Sequence, residues 1–229
     1  MTMTHSFPCP PQAVIFDMDG LLVDSERLWK IAETRILAER GKTYSKELHA
    51  PLIGRAVNEF VVGLIERYEL DDTPQALASL LEERVLEVII QDTRPQPGAA
   101  EIVEWVSAQG LPYGIASSSS LAVIHATIGT QRMWDDSFPV RCSGSEVAKG
   151  KPAPDVYLLA AERLGVAPQA CIALEDSPNG SRAAVAAGMT CFAVPDVSHS
   201  HPSAFADITP FVFASLHEAL SALKGCNAL

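Results

Sequence analysis

At 229 residues, 48% of them hydrophobic, the chain has enough apolar material for one large domain or for a core with a smaller satellite. A formal net charge of −11 argues against a basic nucleic-acid or anionic-membrane surface. It leaves room for an anionic small substrate, because a metal ion and one or two cations can dominate locally. No apolar stretch approaches the roughly 18 residues of a membrane span. The five cysteines, Cys9, Cys142, Cys171, Cys191 and Cys226, are scattered and include no Cys-x-x-Cys. That pattern fits reduced thiols and a cytoplasmic protein better than a disulfide framework or a zinc site, with Cys171 and Cys191 read as core filler.

Residues 1–11 carry neither a basic n-region nor an apolar h-region, so they read as a frayed tail rather than a secretory leader. Residues 13–16, Ala-Val-Ile-Phe, form a short solid apolar run, which reads as a strand buried on both faces, with a buried helical turn as the alternative. The run stops at Asp17, and Asp19 and Gly20 follow. At the carboxyl end of a parallel strand Asp17 stands where open α/β sheets place ligands. Residues two apart in extended chain point the same way, so Asp17 and Asp19 face one site and Gly20 turns the chain away. A plain polar turn has the same composition. A calcium loop does not fit, since its later acidic ligands are missing.

Residues 25–91 change to helical character. Leu28, Ile31, Ala32, Arg35 and Ile36 make a mixed stripe ending at Gly41, with Asp24 and Ser25 as caps. A second helix covers 56–68, and a third opens at Thr73-Pro74 and runs to Ile90. Residues 91–97 return the chain, and a helix spans 98–109. Strand and helix then alternate. The strands are Tyr113 to Ala116, a short one near Val140, Cys171 to Leu174 and Met189 to Val194. This alternation predicts an α/β fold, a doubly wound parallel Rossmann-like sheet with a small helical cap inserted after the first strand. The expected domains are residues 1–24 with 92–229 as core and 25–91 as cap.

Several strand ends carry chemistry: Asp17 with Asp19, Ser117, and Glu175 with Asp176, while Lys151 lies in a Pro-stiffened loop. A parallel sheet brings all its carboxyl ends to one edge, so these residues converge. Clustered carboxylates supply the hard oxygen ligands of Mg²⁺. A carboxylate can attack phosphorus, and a neighbouring acid can protonate the departing alkoxide and deprotonate water. A hydroxyl at Ser117 and the Lys151 ammonium suit phosphoryl oxygens, with Ser118 as an additional contact. Ser117 could instead cap a helix, Glu175 and Asp176 could favour a helix N-terminus, and Lys149 rivals Lys151. Asp196, His199 and His201 read as a polar loop rather than a metal cluster.

The motifs Asp17-Met-Asp-Gly-Leu-Leu-Val-Asp-Ser, Gly114-Ile-Ala-Ser117, Lys151-Pro-Ala-Pro-Asp-Val-Tyr and Leu174-Glu-Asp-Ser-Pro-Asn-Gly resemble the haloacid dehalogenase-like hydrolase superfamily, in order and over nearly the whole chain. The resemblance implies Asp17 as nucleophile, Asp19 as acid/base, Ser117 and Lys151 as phosphate ligands, and Mg²⁺ held by Asp17, Asp176 and the Asp19 backbone carbonyl. Glu175 is implied as a direct or more distant metal partner. An acid at Asp19 points to phosphate esters. The phosphosugar-mutase branch carries a His where Trp29 stands and a cap arginine where Val57 stands; Arg55 lies nearby. The expectation is therefore a cytoplasmic Mg²⁺-dependent phosphatase acting on a small phosphorylated metabolite, of sugar-phosphate type, with Arg55 and Trp29 as cap contacts. A monomer or weak homodimer is expected. A phosphosugar mutase and a receiver-type phospho-accepting module are the alternatives.

Overall fold

Strand β1 (Ala13–Phe16) is buried over its whole length and lies at the centre of a five-stranded parallel sheet ordered β3-β2-β1-β4-β5. In this computed structural model the described residues are 7, 10–52, 57–130, 134, 137–196 and 200–226. The other strands are β2 (Tyr113–Ser117), β3 (Val140–Ser143), β4 (Cys171–Glu175) and β5 (Thr190–Ala193). Phe16 is in register with Ile115 of β2 and Leu174 of β4, so the ends of three strands lie side by side. The chain builds outward from β1 to β3, then crosses back to β4 and β5. This reversal opens a crevice at the carboxyl end of β1.

Alternating residues point to opposite faces of the sheet. Val14, Phe16, Ile115, Ile172, Leu174 and Phe192 face the larger core, which is covered by α5 (Ala99–Ala108), α6 (Leu121–Thr130) and α9 (Leu216–Cys226). The opposite face is built from smaller groups, among them Ala13, Ile15, Ala116, Cys171, Ala173 and Cys191. There α7 (Asp155–Leu164) and the alanine-rich α8 (Pro178–Ala186) approach closely. Cys142, Cys171 and Cys191 are free and buried here, as packing groups.

Between β1 and α5 the chain forms α1 (Glu26–Glu39), α2 (Lys46–His49), α3 (Val57–Tyr68) and α4 (Pro74–Asp92). The Thr73 hydroxyl caps α4 by accepting from the Ala76 amide, with Pro74 in the first turn. The outgoing and returning connections pair: Asp24 N–H donates to Arg94 at 2.8 Å and Gln96 N–H to Leu22 at 2.8 Å. Arg27 then bonds both connections through Asp24 and Asp92, each at 2.8 Å. Farther along, Ser120 Oγ donates to Glu82 Oε1 at 2.6 Å, joining α4 to the loop before α6.

Four details differ from the sequence reading. The stripe on α1 is rotated: Ile31 and Arg35 are exposed, while Glu33 is buried beside Ala32. Helix α2 and α9 went unread, the first being only four residues long. Phe7 does not belong to a frayed tail, since its ring packs edge-on against Phe192 at 5.0 Å. Ser25 makes no side-chain cap to α1; its hydroxyl is used elsewhere.

Candidate active site

The site grows from the end of β1. The Asp17 amide donates to Leu174 O at 3.0 Å, and three residues later Gly20 turns the chain with φ +82°. A side chain at Gly20 would place its Cβ 2.3 Å from Asp176 Oδ2, so the glycine leaves the space that Asp176 needs. From β4 come Glu175 and Asp176. Carboxylate oxygens of Asp17, Glu175 and Asp176 all lie within 4.8 Å of one another, the one such acidic cluster among the described residues.

Lys151 balances part of this charge. Its Nζ donates to Asp17 Oδ1 at 2.5 Å, Glu175 Oε1 at 2.6 Å and Ala116 O at 3.0 Å, using all three N–H bonds. It also lies 4.9 Å from the centre of the Tyr157 ring. Burial alone would push the Lys151 ammonium down; the Asp17 and Glu175 charges outweigh it and hold the group above the ordinary lysine value. Glu175 is saturated. Its Oε1 accepts from Lys151 and from Tyr157 Oη at 2.8 Å, and its Oε2 from the Ser177 amide and hydroxyl at 3.2 and 3.1 Å. Ser177 in turn caps α8 by accepting from the Gly180 amide, and a Cβ at Gly180 would collide with Glu175.

Asp17 and Asp176 are in the opposite condition. Asp17 accepts only from Lys151, on Oδ1, and Asp176 accepts no hydrogen bond from the described residues. Burial raises the Asp17 carboxyl well above the usual range against the pull of Lys151, with the Glu175 and Asp19 charges adding to the rise. Burial also raises Asp176, and the charges of Asp17, Glu175 and Glu26 add to it. Two nearly buried carboxyls with open oxygens and like-charged neighbours are a fitting donor set for a hard divalent cation.

Asp19 is held by four donors. Ser25 Oγ at 2.6 Å and Trp29 Nε1 at 3.3 Å reach its Oδ1, while Ser117 Oγ at 3.1 Å and Ser119 Oγ at 2.8 Å reach Oδ2. The helix-cap alternative for Ser117 fails, because Ser120 Oγ receives the Val123 amide at the start of α6. Over the site lies a cavity open in part to solvent. Asp17, Asp19, Ser117, Ser118, Lys151 and Asp176 line its floor, with Trp29 and Glu26 of α1 beside Asp19 and Asp176; Glu33, His49, Val57 and Phe60 also line it. Burial and the charges of Asp19, Glu33, Asp196 and Asp17 push the Glu26 carboxyl up to about 8.

Of the residues expected from sequence, Asp17, Asp19, Trp29, Ser117, Ser118, Lys151, Glu175 and Asp176 are thus brought together, and Val57 lines the cavity. Arg55 and His199 lie outside the described residues. His201 serves a local turn, accepting from the Ser203 amide. Sequence reasoning missed Ser119, Tyr157 and the cavity residues Glu26, Glu33 and His49. A signal for two of these was present: Glu26, Trp29 and Glu33 are spaced i, i+3, i+7 and share one face of α1.

The family model for haloacid dehalogenase-like hydrolases matches residues 14–194. The chain belongs to this family. It is 39% identical over 189 residues to hexitol phosphatase B of Escherichia coli, covering 80% of this chain and 83% of that one. It is 36% identical over 187 residues to a protein named as a probable pseudouridine-5'-phosphatase of Drosophila melanogaster, covering 80% of each. Among solved structures, CbbY of Rhodobacter sphaeroides in complex with phosphate superimposes with a TM-score of 0.84 at 26% identity, covering 93% of this chain and 99% of that one. As a haloacid dehalogenase-like hydrolase the chain is an enzyme, a phosphoric monoester hydrolase. Among the described residues no helix is long and apolar enough to cross a membrane.

Proposed function

We propose that this haloacid dehalogenase-like hydrolase is an Mg²⁺-dependent cytoplasmic phosphatase that releases phosphate from a small sugar-phosphate-like metabolite through an aspartyl-phosphate on Asp17. The observation that supports this most is the pairing of Asp17 with Asp176: both are nearly buried, both have open oxygens, and the Lys151 ammonium touches only the first. Asp17, Asp176 and the Asp19 backbone carbonyl would hold Mg²⁺, which when bound neutralises phosphate charge so that an anionic carboxylate can approach. Glu175, whose oxygens are all engaged, holds Lys151 in place.

A carboxylate oxygen of Asp17 attacks phosphorus, and the ester P–O bond breaks as the acyl-phosphate bond forms. Asp19 gives a proton to the departing alkoxide, then takes one from the water that hydrolyses the intermediate. Ser117 and Ser118 bind phosphoryl oxygens. The N–H bonds of Lys151 are spent on the protein, so it acts on the phosphoryl group by charge, or by exchanging one bond. Residues 25–91 act as the cap, with Trp29 and Arg55 as substrate contacts; Arg27 at the paired connections and the Glu82–Ser120 bond set its position. The chain acts as a monomer or weak homodimer.

Phosphate release from a panel of phosphometabolites, with Mg²⁺ and with excess chelator, tests the reading; turnover that survives the chelator sinks the metal requirement. Asp19→Ala is expected to slow turnover by about 10²–10⁴-fold, the usual reach of acid–base catalysis, and to let acid-stable phosphoenzyme accumulate. Unchanged kinetics in this variant would remove Asp19 from the mechanism.

The raised carboxyls also set a pH dependence. An unfolded carboxyl loses its proton near pH 4, whereas Asp17 and Asp176 retain theirs to higher pH and Glu26 to about 8. Their contribution to ion-free stability is complete below about pH 4 and drains away as pH rises through the folded values. A bound divalent cation opposes that loss. Saturating Mg²⁺ (about 100 times Kd) adds about 2.7 kcal/mol, roughly 5–10 °C of Tm for a chain of this size. The rise is expected to be larger at pH 8 than at pH 5; a thermal-shift series with equal rises at both would count against cation binding at these carboxyls.

A further inference from the structure

The four donors around Asp19 are not equivalent. Ser25 and Trp29, at the start of α1, reach Oδ1, while Ser117 and Ser119 reach Oδ2 from the end of β2 and the loop after it. A serine hydroxyl carries one proton. The Ser117 proton leaves Asp19 once that hydroxyl donates to a phosphoryl oxygen, as the phosphatase reading requires. Ser119 is then the donor left on Oδ2, and at 2.8 Å against 3.1 Å it already makes the shorter bond. Its backbone is held from two directions. Ser119 is 3% exposed, its amide donates to Ser117 Oγ at 3.0 Å, and its carbonyl accepts from Ser143 Oγ at 2.6 Å. Ser143, buried at the end of β3, is tied in turn by its amide to Glu146 at 2.9 Å. A Cβ at Gly144 would lie 3.0 Å from the Ser118 carbonyl oxygen, so the turn after β3 packs closely on the serine loop.

We infer that Ser119 is a positioning residue for Asp19, keeping its carboxyl aimed at the leaving-group oxygen while Ser117 holds phosphate, and that Ser143 holds Ser119 in place. This rests on the phosphatase reading above and adds the residues through which the acid/base acts. The terminal torsion of an Asp side chain is broad, so its oxygens are not aimed by rotamer preference alone. Fixing Oδ2 from β2 and Oδ1 from α1 removes that freedom. A misplacement of about 1 Å in a catalytic group can cost about 10²-fold in rate. The Ser119 hydroxyl also suits both halves of the cycle. It donates to a carboxylate and can accept from a carboxyl, whereas the Trp29 N–H only donates. Among the described residues Ser119 Oγ makes no second hydrogen bond, which leaves its lone pairs free for that change.

The test uses two alkyl esters, glucitol 6-phosphate and glycerol 3-phosphate, and one aryl ester, p-nitrophenyl phosphate. An alkoxide needs a proton to depart and a nitrophenolate does not, so only the alkyl esters depend on a well-aimed acid. Ser119→Ala should lower the ratio of kcat/KM for the alkyl esters over the aryl ester about tenfold or more, through kcat rather than KM, within the reach of acid–base catalysis. Ser119→Cys keeps the shape with a weaker donor and should fall between that variant and the wild type. Ser143→Ala should shift the ratio the same way by less. In an Asp19→Ala background, Ser119→Ala should shift it no further, because both act through one carboxyl. A merely structural role would slow all three esters alike and leave the ratio in place, which would overturn the inference. So would a raised KM with kcat kept, the mark of a substrate contact, or losses that multiply in the double variant. An unaltered ratio in Ser143→Ala would remove Ser143 from it. Turnover of the aryl ester with neither alkyl ester turned over would overturn it too, since no alkoxide is then protonated. Absence of wild-type turnover on every ester would instead overturn the phosphatase reading, and this inference with it.

Discussion

Asp17→Asn is expected to lose phosphate release by roughly 10⁴-fold or more, the scale seen when a covalent nucleophile is removed, while the folded protein without metal becomes no less stable. The two effects have one cause. Asp17 is 6% exposed, and burial with like-charged neighbours raises its carboxyl well above the usual range, so its ionised form burdens the ion-free fold. An amide of the same size removes that burden and leaves Lys151 its bonds to Glu175 and Ala116. The same change strips one oxygen ligand and one charge from the cation site, so the thermal stabilisation by Mg²⁺ should shrink sharply. Phosphate-release assays and melting curves with and without Mg²⁺ check both halves. Substantial turnover by the variant would defeat the assignment of Asp17 as nucleophile.

Lys151→Met should be the most damaging change to the fold. The ammonium is 2% exposed and, among the described residues, is the one basic group bonded to the acidic cluster. Methionine fills similar space but leaves Asp17 and Glu175 without their cation. Removing one partner of a buried pair costs about 3–5 kcal/mol, or roughly 6–20 °C in Tm for a chain of this size. Excess Mg²⁺ should recover part of the loss, because it too neutralises the cluster, but it should not restore activity. Arginine is a poor substitute, since its planar fork does not match a three-way contact made by a compact ammonium. A variant that melts with the wild type and keeps its turnover would show that Lys151 balances nothing.

Much of the sheet and of the catalytic floor was legible in the chain because both obey local rules. Buried parallel strands read as solid apolar runs, as residues 13–16 and 171–174 do. Their carboxyl ends lie at one edge by topology, so Asp17, Ser117 and Asp176 could be grouped without coordinates. Helix α4 announced itself through Thr73 and Pro74. The failures have physical reasons too. Glu33 was placed outside the buried stripe because a carboxylate is seldom buried without a partner, and its partner, His49, stands on a helix of only four residues. Ser25 sits where a helix cap belongs, yet its hydroxyl bonds Asp19. Nothing local distinguishes those two uses of a serine.

The sequence by itself determined the architecture, the order of the four motifs and the acids that end β1 and β4, because strand periodicity and parallel topology act through residue type and spacing alone. Tertiary structure alone decided how each charge is compensated. It saturated Glu175 and left Asp17 and Asp176 open, spent every N–H of Lys151, surrounded Asp19 with four donors, and set Glu33 against His49 at the edge of the cavity. Those outcomes depend on fine differences in distance and on burial between residues as far as 134 positions apart, and no local pattern encodes them.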